Sequence, residues 1–198
     1  MRSEESSDFG RIVNLTDGVF AIALTLLVFG FEIPRSDHDL TRRVLELWPD
    51  LLAYLLSFAV VGRFWIVHHR FFGTLHRFDR SLLTLNFVYL SLVALVPFTT
   101  QLLGDHGDHS VAAIAYATVL GGAALVSWLM IRHTLVRDHV RAEARPGTEP
   151  FAARQALLAP GVLLASIPVA LLSPYAAEAM WGLMLLTWPG QRRLGVQV

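Results

Sequence analysis

The sequence predicts an all-α polytopic membrane protein with six transmembrane helices. Three observations carry that prediction. Hydrophobic residues make up 54% of the 198 positions and charged residues only 16%, against about 25% charged in an ordinary soluble domain. Six apolar runs approach the ~20 residues that a helix needs to cross a bilayer. Arginine is concentrated on alternate connections between those runs, the pattern the positive-inside rule gives for an even number of spans.

The runs lie at about 12–33, 49–72, 82–104, 110–133, 153–172 and 175–189, and the whole chain, 1–198, reads as one six-helix domain. The start, "MRSEESSDFG", is polar and partly acidic. It lacks the basic n-region of a signal peptide, so the first run is expected to stay in the mature protein. Between the first two runs, "HDLTRRVLELW" is amphipathic and reads as a short interfacial helix. The fourth and fifth runs are joined by the charged, solvated linker "RDHVRAEARPGTEP". Pro160, Pro168, Pro174 and Pro189 punctuate the last two runs, so their ends are the least defined. Twelve arginines fall on the side shared by both termini, and only Arg35, Arg42 and Arg43 fall on the other. Both termini are therefore expected in the cytoplasm. Arg63 is left within the second run, to snorkel or to pair internally.

The formal net charge is zero, so no general attraction to nucleic acid is indicated. The absence of cysteine excludes disulfides and thiolate metal sites. His68 and His69 are adjacent, so on a helix they point about 100° apart and chelate one metal poorly. No H-E-x-x-H spacing is present. An enzyme is therefore not expected.

The first run carries the pattern from which a function can be argued. With Ile22 at zero and about 100° per residue, Leu15, Val19, Leu26 and Phe29 fall within about 60° of it, Thr25 flanks the stripe, and Asp17 lies about 140° away. An apolar stripe of this kind usually packs against a neighbouring helix, and periodicity alone favours that reading over a pore face. Asp17 faces elsewhere. Counted from the cytoplasmic ends, His68 of "FWIVHHRFF" and Asn86 of "LLTLNFVYL" reach a similar depth. Buried polar groups in a bilayer need partners. Asp17 is therefore expected to be tied to this layer as a fixed knot between helices. A proton relay through Asp17 and His68, in a proton-coupled secondary transporter, is the alternative use of the same groups.

"RIVNLTDGVFAIALTLLV" resembles the R-x-x-x-F-S-D signature that opens the first helix of the transmembrane protein 175 family. Arg11, Leu15, Thr16 and Asp17 occupy the four signature positions. The resemblance continues through Trp65, His68 and His69, through Asn86, and through Pro97 and Phe98 of "VPFTTQLL", covering roughly residues 11–103. It departs from the signature where Leu15 and Thr16 replace Phe and Ser, which keeps a hydroxyl but loses an aromatic ring. Phe29 is also bulkier than the usual aliphatic residue at its position.

The resemblance implies a homotetramer of six-helix chains around a pore lined by the first helix. It implies a potassium-preferring cation channel of the bacterial plasma membrane without a carbonyl selectivity filter, and no T-V-G-Y-G segment occurs here. By that likeness Ile22, five residues after the signature aspartate, begins a hydrophobic constriction. Leu26 and Phe29 form the next pore-facing layers, and Thr25 matches a threonine proposed to aid selectivity. Arg11, Thr16, Asp17, Trp65, His68 and Asn86 correspond to the family's structural network. No cofactor is implied, and no metal beyond permeating potassium. The implied partners are further copies of the chain, membrane lipid and potassium ions.

Overall fold

Among the described residues, six α-helices form on the apolar runs, two of them carrying an internal proline, Pro97 and Pro168. The computed structural model describes residues 2–30, 47–75, 78–140 and 157–186. Among these, α1 spans Arg2–Leu26 and tightens into a 3-10 turn at Leu27–Gly30; α2 spans Trp48–Gly73, α3 Arg80–Asp105, α4 Ser110–Val136, α5 Leu158–Leu172 and α6 Pro174–Leu186. Most of the amphipathic stretch 38–48, most of the charged linker, and residues 153–156 and 187–189 of the last two predicted runs lie outside the described residues.

The first helix begins ten residues before its apolar run, because nothing between Arg2 and Ile12 stops it. Its serines, Asp8 and Gly10 are weak helix formers but not breakers, and extending a formed helix adds one bond per residue at little cost. Phe9 anchors the extension, with its ring 6.2 Å from Phe72 and 5.9 Å from Phe78. Among the described residues, three segments are long and apolar enough to cross a membrane: Phe9–Gly30, Arg80–Asp105 and Ser110–Val136. Helix α5 is apolar but only 15 residues long.

The helices pack as two groups, α1–α2–α3 and α4–α5–α6, joined along α3 and α4. Helix α4 is apolar on every side and buries more residues than any other described helix, as expected of a helix surrounded by protein. The main core runs from Phe20, Ala23 and Leu27 of α1 through Tyr89 and Val93 of α3 to Leu120 and Met130 of α4. A smaller cluster of Ala113, Ala170 and Ala177 lies beside Trp181, whose indole N–H donates to Ser166 Oγ at 2.8 Å.

Candidate functional site

Helix α1 has two faces with different fates. Thr16, Phe20, Ala23 and Leu27 are all buried, and on a helix they fall about 100–160° from Ile22. That is the face α1 turns toward α2 and α3. The opposite face is left open: Ile22 is 60% exposed, Leu26 43% and Phe29 76%. Thr25 is exposed beside them, and its hydroxyl donates to Ile22 O at 2.8 Å. Donation back to the helix leaves the oxygen lone pairs turned outward. Apart from Val19, which is half-buried against the core, the stripe that periodicity alone would have packed into the chain's own core lies outside it.

On the buried face, three helices share a chain of hydrogen bonds. Thr16 Oγ1 donates to Ile12 O at 3.0 Å and accepts from Asn86 Nδ2 at 3.2 Å. Asn86 Oδ1 in turn accepts from His68 Nε2 at 2.8 Å. All three side chains are buried. The His68 ring lies between Phe72, at 4.1 Å, and Tyr89, at 5.1 Å, nearly parallel to both. Tyr89 follows Asn86 by three residues and so shares its face, and its hydroxyl donates to Phe64 O at 3.4 Å.

Asp17 is placed differently from the expected knot. Its Oδ1 accepts from Trp65 Nε1 at 2.8 Å, at a half-open seam between α1 and α2. Thr16, not Asp17, joins the layer of His68 and Asn86. The reason is azimuth: adjacent helix residues point about 100° apart, so one of the pair enters the three-helix interior and the other reaches the seam. Arg11 is exposed nearly two turns before Asp17 on the same helix. His69 is exposed and stacks on Trp65 at 5.2 Å. Asp17 and His68 thus have different hydrogen-bond partners. Sequence reasoning missed Tyr89, although an aromatic three residues after a buried amide was a usable signal.

These residues all lie within the stretch 11–97, which matches the family described as endosomal/lysosomal potassium channel TMEM175. A potassium channel of Chamaesiphon minutus is 35% identical over 181 residues, covering 87% of this chain and 89% of the relative. The chain belongs to the transmembrane protein 175 family. A potassium channel of Streptomyces collinus is 36% identical over 141 residues, 68% of each chain. The fold agrees with the crystal structure of a lysosomal potassium-selective channel homologue of the family from Chamaesiphon minutus. The TM-score is 0.79 at 31% identity, over 93% of this chain and 98% of that one. The family is one of channels and needs no cofactor, and potassium is the ion in the names of both relatives. The all-helical architecture is that of a membrane channel.

Proposed function

We propose that the chain is a potassium-preferring cation channel of a bacterial plasma membrane, active as a homotetramer with both termini in the cytoplasm. The α1 helices of four copies surround a pore that has no carbonyl filter. Ile22 forms its central hydrophobic constriction, Leu26 and Phe29 form outer ones, and the Thr25 hydroxyl oxygens add one weak polar ring. Thr16, His68 and Asn86, with the Asp17–Trp65 pair, hold α1 at a fixed angle to α2 and α3.

One observation carries this reading. Leu15, Ile22, Leu26 and Phe29 of the apolar stripe are exposed while the opposite face of α1 is buried. A single helix cannot enclose a path, but identical helices around a closed symmetry axis can. Apolar rings in such a path gate by steric closure and dewetting. With few ligands for the ion, the preference for potassium is modest and follows from its cheaper dehydration relative to sodium.

The test is Ile22→Asn, recorded as single channels in planar bilayers. Four amides where water is excluded lower the wetting barrier, and about 1.4 kcal/mol off that barrier is roughly tenfold in opening rate. The expected outcome is larger basal current with weaker discrimination of potassium from sodium. If Ile22 faces lipid instead, Ile22→Asn leaves conductance and selectivity unchanged.

A further inference from the structure

A second group of polar side chains lies outside the α1 site, at the end of the molecule where Phe9 of α1 meets Phe78. Asp79 caps the start of α3: its Oδ1 accepts from the Leu82 N–H at 2.7 Å. That bond fixes the carboxylate and leaves Oδ2 for other partners. His133, in the last turn of α4, donates from Nε2 to Asp79 Oδ2 at 2.8 Å. His139 Nε2 stands 4.0 Å from the same oxygen, and the two imidazole rings are 5.8 Å apart.

His139 arrives there because of how α4 ends. Asp138 adopts φ 58°, a left-handed conformation that aspartate tolerates better than most residues. The His139 N–H then bonds back to Thr134 O at 3.0 Å, as in a Schellman cap. The chain doubles over the helix end and lays His139 beside His133. Val140, the next residue, forms an isolated antiparallel bridge with Leu75 of the α2–α3 connection, and both are buried. Two connections are thereby pinned together around the three side chains. The side chains are 34% (Asp79), 19% (His133) and 10% (His139) exposed, so the cluster is framed by protein yet open to an ion.

We propose that Asp79, His133 and His139 form a binding site for a divalent transition-metal ion of the zinc class, one per chain, that fastens the end of α4 to the start of α3. One ligand atom from each lies within 4.8 Å of the others. Zinc bonds of about 2.0–2.1 Å put tetrahedral ligand atoms about 3.3–3.5 Å apart. The separations of 2.8 and 4.0 Å from Asp79 Oδ2 straddle that value, and the remaining pair lies within 4.8 Å, so shifts of about 1 Å close the site. Two imidazoles and one carboxylate suit zinc, with water in the fourth position. They do not suit magnesium or calcium, which take oxygen ligands in greater number. An aspartate carboxylate is ionised at neutral pH and needs no proton loss to ligate. The Leu82 N–H is the outer contact that orients it.

The test titrates chelator-treated, full-length protein in detergent with zinc chloride by calorimetry at about pH 7.5, where imidazoles are largely neutral. One zinc per chain is expected, with no heat from magnesium. Asp79→Asn keeps a capping side chain but loses the charge, and it should weaken binding at least about tenfold, as should His133→Gln and His139→Gln. The exposed loop cluster His106, Asp108 and His109 is the competing location, so the His106→Gln/His109→Gln double variant should keep full affinity. Loss of binding in that double variant overturns the proposal. So does unchanged affinity in the three site variants, or no binding by the unaltered chain below about 100 µM. Should a site variant fail to fold, zinc X-ray absorption of the loop double variant decides. Two imidazole nitrogens and carboxylate or water oxygens at about 2.0–2.1 Å support the site, and a shell without two imidazoles overturns it.

Discussion

Asn86 joins three helices through one amide. Its Oδ1 accepts from His68 of α2 and its Nδ2 donates to Thr16 of α1, while its backbone belongs to α3. Asn86→Leu keeps the volume and strands the His68 N–H among aromatic rings, where no water can reach it. The expected cost is about 1–3 kcal/mol. Asp17→Ala should cost less, about 1 kcal/mol or under, because the Trp65 N–H that it strands lies at a half-open seam and can find another partner. Thermal melting of both variants in one detergent, followed by tryptophan fluorescence, should rank Asn86→Leu as the more damaging. The reverse ranking would restore Asp17 as the principal knot. The sequence made the layer legible, since depth along a helix can be counted from its ends. It did not reveal which of Thr16 and Asp17 enters the layer, because depth says nothing of azimuth and the neighbouring helices set the azimuth.

At the scale of the element, periodicity found the stripe of α1 but left its destination open. Packing within the chain and lining a shared axis need the same apolar spacing, and only the burial of Thr16, Phe20, Ala23 and Leu27 separates them. The helix start at Arg2 was hidden for another reason: a polar stretch gives no hydrophobic signal, yet α1 propagates through it. The contact of α4 with α5 was equally hidden, because it depends on Gly121, a residue without a side chain to read. A Cβ placed there would lie 2.8 Å from Leu164 Cδ2 and 3.2 Å from Leu163 Cβ. The two helices approach as closely as they do because that space is empty. Gly121→Val should therefore force them apart and destabilise the chain by about 1–3 kcal/mol. Gly161 has open space around it, so Gly161→Ala should be neutral or mildly stabilising through helix propensity. Equal melting temperatures for Gly121→Val and the unaltered chain would mean that α4 and α5 yield without cost.

At the scale of the whole molecule, the proposal rests on copies meeting through α1. The arginine asymmetry orients such an assembly, and nothing in it counts the copies. The architecture of the single chain supplies the stronger constraint, because it leaves Ile22, Leu26 and Phe29 on one open face. Exposed apolar side chains in a membrane protein have two uses: contact with lipid, or contact with another copy. The absence of cysteine allows the two to be separated cleanly, since a single introduced thiol has only its equivalent in another copy to pair with. Disulfides need Cα atoms about 4.4–6.8 Å apart, which constricting rings around an axis approach and lipid-facing positions do not. Ile22→Cys should therefore give covalent dimers on mild oxidation. Phe98→Cys on α3, at a position 63% exposed and off the stripe, should not. Only dimers can form covalently from one thiol per chain, so the number of copies comes from native mass spectrometry in detergent, where four copies of the 22.0 kDa chain are expected. Any other stoichiometry removes the fourfold axis. A tetramer in which Phe98→Cys pairs and Ile22→Cys does not would keep the assembly but move α1 away from its centre, and the hydrophobic gate would have to be sought on another helix.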